Sequence, residues 1–328
     1  MNVLLIAGGW SSERDVSLSG GKGIKKALAE LGHAVTVHDP ALSLDGLMEA
    51  AAGKDFAFIN LHGSPGEDGL IQAMLDRVGC PYQGSGPAAS ILALNKAAAK
   101  SLFRGVGLAS PACRFLNERP EKDWQPMLSY PLFIKANTGG SSLHMEKVER
   151  PGDLGAALDR LFAVNTAYLV ESAVPGHEIT CGILGELTGD REDPVALPPI
   201  LIKPASGAIF DYTSKYSPGG AEELCPAPIA PGLTRTIQAM ALAAHRALGC
   251  EGYSRADFIA PDIMDDSATP MLLEVNTLPG MTATSLLPRE AAVIGLSFPR
   301  LVARLMDLGL ARHRRAASGK AFEAPDRT

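Results

Sequence analysis

Short apolar runs alternate with amphipathic segments from the start of the chain to about residue 92. The strand-like runs are Val3–Ala7, Ala34–His38 and Phe56–Leu61, and the segments with helical spacing are Ser17–Leu31 and Gly69–Val78. This alternation predicts an α/β unit built on an open parallel sheet. Such sheets bind ligands at the carboxyl ends of their strands, and these ends are Gly8-Gly9 and His62-Gly63.

Two further units follow, each with several predicted strands. The second has helices at Ala88–Phe103 and Asp153–Phe162 and strands at Pro131–Ala136, Ala167–Glu171 and Ile179–Leu184. The third has strands at Val195–Ile202, Ser254–Ala260 and Met271–Val275 and helices at Leu233–Leu248 and Ser297–Leu308. No internal repeat is visible in the chain.

The predicted domain organisation has three parts and a tail. An N-terminal α/β domain covers 1–92, a central subdomain 93–178 and a C-terminal subdomain 179–312, and a disordered tail is expected at 313–328. Within the third part, the segment 203–228 is rich in Gly, Pro, Ser and Tyr and has no clear period. A long segment of this kind inside a compact domain is usually functional or disordered.

Composition narrows the class of protein. The 328 residues are 46% hydrophobic and 20% charged, which is ordinary for a globular protein. Thirty Lys and Arg against 36 Asp and Glu leave a formal charge of −6, which argues against nucleic acid as the main partner because phosphate backbones need a basic face. No apolar run reaches the 18 or so residues that a membrane span requires, so no membrane partner is expected.

The cysteines and the N-terminus favour a cytoplasmic protein. Five cysteines, an odd number with no C-x-x-C pair, argue against a disulfide framework or a zinc ribbon. The first residues lack a basic region, and their apolar stretch is short for a signal peptide. This stretch is better explained as a buried first strand.

The glycine-rich segments match neither of two familiar nucleotide-binding motifs, but one of them could form a different kind of phosphate-binding loop. There is no G-x-x-x-x-G-K-[ST] loop, and Gly8-Gly9 lacks the spacing of the dinucleotide fingerprint. Lys135 ends a predicted strand and precedes the glycine- and serine-rich stretch 136–142. The backbone of such a loop can approach phosphate oxygens closely while the lysine adds a point charge. The alternative is a hairpin turn beside a solvent-exposed lysine.

Carboxylates in two late strands point to a metal ion. Asp257 lies in one predicted strand, and Glu274 and Asn276 lie two apart in the next, on one face. Two carboxylates and an amide are hard oxygen ligands of the kind that magnesium takes together with substrate phosphates. The alternative is that Asp257 and Glu274 are surface carboxylates.

Taken together, these segments resemble the D-alanine–D-alanine ligase family of the ATP-grasp superfamily. The resemblance runs in order from residue 3 to about 310. The residues that carry it are Gly8 to Ser19, Leu61 to Gly69, Asn95-Lys96, Lys135 to Ser142, Asp211 to Tyr216, Ser254 to Asp257 and Leu273 to Leu286.

The resemblance implies both a fold and a reaction. The fold would be a three-domain ATP-grasp fold, with an α/β N-terminal domain and α+β overall. In the reaction, ATP phosphorylates the carboxylate of one D-alanine, and the amine of a second attacks the acyl phosphate to form the dipeptide of bacterial cell walls. ATP as co-substrate and two magnesium ions, which manganese can replace, are the implied cofactors. A homodimer is the implied assembly.

Nucleotide and metal roles follow from the resemblance. Phosphate-binding lysines would be Lys96, Lys135 and Lys215, the last on the mobile loop, and Ser142 would contribute from the glycine-rich loop. Glu171 and Val174 would lie on the strand that reads the adenine edge, and Glu178 would bind the ribose. The metal ligands would be Asp257, Glu274 and Asn276.

Substrate and catalytic roles follow in the same way. Glu13 would bind the first ammonium group with His62 nearby, and Ser285 with the Leu286 N–H would bind the second carboxylate. Arg255 and the Gly280 N–H would stabilise the oxyanion. For His62 a purely structural role is the alternative, and for Arg255 an ion pair with Asp257 or Glu274.

The segment 203–228 would be a lid that keeps water from the acyl phosphate. Tyr216 would join the lid to Ser141 and Glu13, an arrangement that accompanies D-alanine as second substrate. Two departures from the family pattern are visible: the loop 136–144 lacks the usual proline, charged pair and last glycine, and Ala173 replaces a larger residue. A ligase for D-lactate, D-serine or another amino acid, and a nucleotide-binding protein without catalysis, are the alternatives.

Overall fold

The computed structural model describes residues 1–139, 144–165, 167–204, 221–282 and 284–318, which form three sheets with helices packed on them. The first elements are β1 (Asn2–Ala7), α1 (Arg14–Glu30), β2 (Ala34–His38), α2 (Leu47–Ala51), β3 (Phe56–Asn60), α3 (Leu70–Val78) and α4 (Pro87–Leu94). The next are α5 (Lys96–Gly105), β4 (Cys113–Leu116), β5 (Leu132–Ala136), β6 (Met145–Val148), a 3₁₀ turn (Pro151–Asp153), α6 (Leu154–Phe162) and β7 (Tyr168–Ser172). The last are β8 (His177–Thr188), β9 (Arg191–Ala196), β10 (Ile200–Pro204), β11 (Ala221–Leu224), α7 (Pro231–Ala247), β12 (Tyr253–Ala260), β13 (Met271–Asn276), α8 (Leu286–Val293) and α9 (Phe298–Ala317).

The N-terminal sheet is parallel, with the strand order β2-β1-β3. The predicted open parallel sheet is therefore confirmed. Its central strand is buried from Val3 onward because α1 covers one face and later helices cover the other. Helix α1 begins at Arg14 rather than at the predicted Ser17, which brings its first turn to the carboxyl end of β1.

The predicted helix Ala88–Phe103 is wrong as a single element, because the chain breaks it at Asn95. This residue has an extended conformation, and its side chain accepts a hydrogen bond from the Ala98 N–H. Asparagine is a preferred N-cap because it satisfies a backbone donor that a helix start leaves unpaired. Helix α5 therefore begins anew at Lys96 and points in its own direction.

The central sheet is antiparallel and has the order β4-β7-β5-β6. Helix α6 packs its apolar face against it, with Leu154, Ala157 and Leu158 buried. Tyr168 on β7 donates a hydrogen bond to the Leu161 carbonyl of the same helix. The sheet therefore holds Lys135 and Glu171, on β5 and β7, in a rigid frame.

The C-terminal sheet has the order β11-β10-β8-β12-β13, and β9 also pairs with β8. The predicted strand Val195–Ile202 is wrong as one strand, because β9 ends at Ala196 and β10 begins at Ile200. Pro198 and Pro199 lie between them and have no N–H to donate to a ladder. Helix α7 covers this sheet with Leu233, Ile237 and Ala241.

The segment predicted as an irregular lid is flanked by paired strands. Strands β10 and β11 are antiparallel, and Lys203 lies opposite Glu222. The prediction of no regular structure over 203–228 is therefore wrong at both ends. Residues 205–220 lie outside the described residues, and so do the predicted site residues Ser141, Ser142, Lys215 and Tyr216.

Helix α9 returns from the C-terminal part and packs in the core of the N-terminal sheet. Leu301, Val302 and Leu305 are fully buried there with residues of β1 and β3. This core therefore contains residues of both the predicted N-terminal domain, 1–92, and the predicted C-terminal subdomain, 179–312. In the described part of the chain, no helix has the length and apolar character to cross a bilayer.

The tail predicted from residue 313 is wrong for its first residues, because α9 continues to Ala317. Arg314 forms an ion pair of 2.7 Å with Asp190, and Arg315 one of 3.2 Å with Glu251. These pairs tie the last turns of the helix to the hairpin of β8 and β9 and to the loop before β12. Residues 319–328 lie outside the described part.

Candidate active site

The first turn of α1 is tied to the ends of two strands. The Ser17 hydroxyl accepts a hydrogen bond of 2.8 Å from the Gly8 N–H and donates one to the Asn60 carbonyl. The Asn60 amide in turn donates to the Ser17 carbonyl at 2.7 Å. Gly8 has φ of 107°, a conformation that favours glycine. The loop carrying Glu13 is thereby held at the carboxyl edge of the N-terminal sheet.

A partly buried carboxylate, that of Asp39, holds this loop from its other side. Asp39 accepts hydrogen bonds from the Gly9 and Ala41 N–H groups, each at 3.0 Å, and from the Arg14 guanidinium. Burial by itself would raise the pKa of Asp39, but the hydrogen bonds from Arg14 and the backbone overcome it and lower the pKa. Glu13 precedes Arg14 directly, so this contact also sets the position of Glu13.

Glu13 lies close to His62 and to Glu67. Burial lowers the pKa of His62, which the Glu13 carboxylate opposes, so the imidazole is neutral near pH 7. Burial and the same carboxylate raise the pKa of Glu67 to about 8. The structure thus brings the predicted Glu13 and His62 together. Glu67 was missed by the sequence analysis, and the available signal was its place in the same loop as His62.

Lys96 is positioned at the start of α5. The Asn137 side chain accepts from the Ala97 N–H at 2.9 Å and donates to the Asn95 side chain at 3.0 Å. The Lys96 ammonium donates to the Gly139 carbonyl at 2.7 Å and lies 3.4 Å from a Glu274 carboxylate oxygen. Lys96 therefore bridges the glycine-rich loop of the central sheet and strand β13.

Lys135 and Glu171 form an ion pair across neighbouring strands. The Lys135 ammonium is 2.9 Å from one Glu171 oxygen, and the Lys100 ammonium is 2.9 Å from the other. Burial alone would raise the pKa of Glu171, but the two lysines lower it. Lys100 was also missed, because a lysine within an alanine-rich helical stretch resembles an ordinary surface residue.

Two further predicted nucleotide-binding residues flank this pair. Val174 lies half-buried in the short connection between β7 and β8, and Glu178 lies near the start of β8. Glu178 is one of the carboxylates that raise the pKa of Lys135 against the effect of burial. Glu178 therefore lies near the Lys135 ammonium.

Strands β12 and β13 bring together the residues that were predicted to bind metal and oxyanion. In the register of this pair, Arg255 lies opposite Asn276, and Asp257 opposite Glu274. Arg255 makes two hydrogen bonds of 2.9 Å to the two oxygens of Asp257. Burial lowers the pKa of Arg255, but the nearby Asp257 and Glu274 outweigh it and raise the pKa above its ordinary value.

The remaining hydrogen bonds of Asp257 complete its surroundings. Thr180 donates to one oxygen at 2.6 Å, and the Asn276 amide donates to the other at 3.0 Å.

Among the described residues, no three His, Cys, Asp or Glu side chains form a cluster that could hold a metal by themselves. Two carboxylates and an amide oxygen nevertheless fit magnesium, which takes few protein ligands and completes its shell with phosphates and water.

The loop before α8 places three predicted substrate-binding residues side by side. A Cβ on Gly280 would lie 2.9 Å from the Ser285 hydroxyl oxygen, so a larger residue would crowd this side chain. The Ser285 hydroxyl accepts from the Thr282 N–H at 3.0 Å. Ser285 is the N-cap of α8, and Leu286 begins the helix. A helix start favours an anion such as a carboxylate.

Lys96, Glu274 and Asn276 line one cleft. Its lining comes from all three parts of the chain and comprises Glu67, Ala93, Leu94, Lys96, Gly139, Glu274, Val275, Asn276 and Thr277. The Lys96 cation and the side-chain oxygens of Glu274 and Asn276 therefore line the same cleft, and binding of a polyphosphate with a divalent ion needs both kinds of group.

The chain is similar to D-alanine–D-alanine ligases in sequence and in structure. The family model "D-ala D-ala ligase C-terminus" matches residues 105–307. The D-alanine–D-alanine ligase of Nitratidesulfovibrio vulgaris is 63% identical over 310 residues, which cover 94% of this chain and 98% of that protein.

Solved structures show the same relationship over nearly the whole chain. The D-alanine–D-alanine ligase from Bacillus anthracis superposes with a TM-score of 0.82 at 31% identity, covering 96% of this chain and 99% of that one. The same enzyme complexed with ATP has a TM-score of 0.80 at 28% identity, with the same coverage. The three-domain ATP-grasp fold expected from the sequence is confirmed, and the chain belongs to the D-alanine–D-alanine ligase family.

Proposed function

We propose that this protein is an ATP-dependent ligase that joins two D-alanines into D-alanyl-D-alanine and releases ADP and phosphate. The family relationship supports the substrate. The observation that carries the proposal is the meeting of Arg255, Asp257, Glu274 and Asn276 on two neighbouring strands, with the Lys96 ammonium 3.4 Å from Glu274. This arrangement suits a nucleotide phosphate chain beside a reacting carboxylate.

The first step is transfer of the γ-phosphoryl group. A carboxylate oxygen of the first D-alanine attacks the γ-phosphorus, the bond to the β-phosphate oxygen breaks, and ADP leaves with the electron pair. Lys96 and Lys135 hold the phosphates, and Glu13 binds the ammonium group of this D-alanine. Positioning and charge neutralisation are most of what such a transfer needs.

Magnesium belongs to this proposal because the donor set fits it. Asp257, Glu274 and Asn276 would hold the ion or ions, and manganese would be accepted by the same oxygen ligands. When bound, the metal neutralises phosphate charge during the transfer.

The second step forms the peptide bond. The free amine of the second D-alanine attacks the acyl carbon, and the tetrahedral intermediate collapses as phosphate leaves and the nitrogen gives up a proton. Arg255 and the Gly280 N–H stabilise the oxyanion. Ser285 and the Leu286 N–H hold the carboxylate of the second D-alanine, and neutral His62 lies beside the first.

Location and assembly complete the proposal. We assign the enzyme to the cytoplasm as a homodimer, with a product used for peptidoglycan precursors. All five cysteines are unbonded, which suits a reducing compartment. Light scattering on the purified protein tests the assembly, since a mass of one chain would refute the dimer.

One assay tests the function directly. Phosphate release from ATP is measured with D-alanine, D-lactate, D-serine and L-alanine, singly and in pairs, with magnesium, with manganese and with excess EDTA. We expect release with D-alanine alone, a dipeptide product by mass spectrometry and loss of activity in EDTA. Release that needs a mixed pair would replace the dipeptide with another product, and no release under any condition would overturn the proposal.

A further inference from the structure

A buried cluster of three charges lies behind the nucleotide side of the central sheet. Its members are Lys100 on α5, Glu171 on β7 and Lys135 on β5. Each lysine is 2.9 Å from its own oxygen of Glu171. The Lys100 ammonium also donates to the Ser110 hydroxyl at 2.7 Å. Each oxygen of the carboxylate therefore faces a cation of its own: Lys135 donates a hydrogen bond to one, and Lys100 forms an ion pair with the other.

The two lysines differ in what else they can reach. The Lys100 side chain is 2% exposed, whereas that of Lys135 is 19% exposed. Lys135 also lies near Glu274, which lines the cleft, and Glu274 and Glu178 raise its pKa. Lys100 is enclosed between α5 and the sheet, so it cannot touch a ligand. Any effect of Lys100 on the reaction must pass through Glu171.

The charges of the cluster do not cancel. The pKa of Glu171 is lowered, so its carboxylate is ionised at neutral pH. Burial lowers the pKa of Lys100, and the Glu171 carboxylate 2.9 Å away opposes this. With both lysines protonated, two ammonium groups against one carboxylate leave one positive charge. Without Lys100, the carboxylate and Lys135 would form a neutral pair, and one buried oxygen of Glu171 would lose its partner. A buried unpaired carboxylate oxygen is costly and repels phosphate.

We propose that Lys100 is a positioning residue for ATP: it neutralises Glu171 from behind, so that Lys135 presents a full positive charge to the nucleotide phosphates. This inference rests on the proposed function, because it assumes that Lys135 faces ATP. It assigns to Lys100 an electrostatic role beyond the link it makes between α5 and β7.

The test replaces Lys100 with the neutral, similarly long methionine. Binding of ATP alone is measured by isothermal titration calorimetry, and steady-state kinetics are measured with D-alanine. We expect Lys100→Met to weaken ATP binding about tenfold, which corresponds to roughly 1.4 kcal/mol. The KM for ATP rises to a similar extent, while kcat and the KM for D-alanine change less than about twofold. Lys100→Arg restores most of the affinity because it keeps the charge.

Ser110→Ala is the matched control, because it removes the other hydrogen bond of Lys100 and no charge. We expect it to change ATP affinity less than about twofold. A role that is only structural predicts instead that Lys100→Met and Ser110→Ala both lower the melting temperature and that the KM for ATP stays near the wild-type value. That pattern would refute the proposal.

A second pair of variants keeps the test decisive if Lys100→Met does not fold. With Glu171→Gln as background, adding Lys100→Met leaves no unpaired carboxylate, and Lys135 keeps its charge. We expect the two proteins to bind ATP within about twofold of each other. A tenfold loss on this background would show that Lys100 acts directly, against the proposal. Wild-type protein that fails to bind ATP would refute the proposed function itself, which separates the two failures.

Discussion

The guanidinium of Arg255 holds Asp257 by two parallel hydrogen bonds of 2.9 Å, one to each carboxylate oxygen. The two residues lie two apart on β12, so both side chains leave the strand on the same face. A divalent ion at Asp257 would compete with Arg255 for the same oxygens. Glu274, directly opposite Asp257 in the register, is the carboxylate whose contribution to metal binding can be tested without breaking this pair.

Glu274→Gln is expected to lower kcat at least about a hundredfold, because an amide replaces a charged metal ligand while the side-chain shape is kept. The side chain is 31% exposed, so the melting temperature should change little. Phosphate release with D-alanine and a thermal melt check both points. Glu146→Gln on β6 removes a carboxylate from a surface ion pair with Arg160 of α6 and serves as the control. A normal rate for Glu274→Gln would refute the metal assignment.

Arg14→Met is expected to raise the KM for D-alanine about tenfold, because the hydrogen bonds that fix the loop next to Glu13 are lost. The affinity for ATP should stay the same, since the loop lies at the N-terminal sheet. Initial rates at varied D-alanine and at varied ATP measure the two effects. Lys26→Met breaks an exposed ion pair on the same helix and should leave both constants within about twofold. Equal effects of the two substitutions would contradict a positioning role for Arg14.

Glu290→Gln is expected to stabilise the protein at alkaline pH. Glu290 is fully buried, and burial raises its pKa from 4.5 to about 8 in the folded state. The folded protein therefore binds more protons than the unfolded chain between these values, and its stability falls as pH rises through that window. The Gly182 N–H donates to this side chain at 2.8 Å, and glutamine can still accept that bond.

Urea unfolding of wild type and Glu290→Gln at several pH values measures this effect. We expect free energies of unfolding that differ little near pH 4.5 and diverge by a few kcal/mol above pH 8. Groups shared by both proteins cancel in the difference, including Glu67, whose pKa is raised into the same range. A difference that is constant with pH would show that Glu290 is not protonated in the folded state.

Gly309→Ala is expected to destabilise the protein by roughly 1–3 kcal/mol, as overpacking of a tight contact does. A Cβ at Gly309 would lie 2.3 Å from the Tyr82 backbone carbonyl oxygen, and backbone cannot easily move away. Gly23→Ala on α1 is the matched helical control. Its Cβ would come no closer than 3.9 Å to a neighbour, so it should stabilise by about 0.5–1 kcal/mol through helix propensity. Chemical denaturation measures both, and a gain in stability for Gly309→Ala would refute the close contact of α9.

The sequence predicted best those elements whose hydrophobic pattern reflects how their faces are buried. The apolar run Val3–Ala7 became a buried parallel strand, because a strand covered on both faces needs apolar side chains throughout. The prediction failed at Asn95 and at Pro198-Pro199, where single residues end an element inside a continuous apolar pattern. The effect of a capping side chain or of a missing N–H is confined to one residue. A hydrophobic periodicity averaged over many residues does not detect such a local break.

For the candidate site, the sequence predicted residues whose chemistry belongs to a motif, such as Glu13, Arg255, Asp257 and Glu274. The sequence did not point to Lys100, Glu67 or Glu290. What distinguishes these residues is burial beside a charge that is distant along the chain. Lys100 and Glu171 are 71 positions apart in the chain and 2.9 Å apart in space. Desolvation and Coulomb energy depend on distance in space.

By itself, the sequence determined the family and the parallel sheet of the N-terminal part, and it predicted the donor types for a nucleotide and its metal. Tertiary structure alone decided that α9 completes the N-terminal core, that Asp257 is shared with Arg255 and that Lys100 lies behind Glu171. The physical reason is that local patterns encode which face of an element is apolar. Which partner covers that face, and which charges lie near one another there, is decided only when the whole chain has folded.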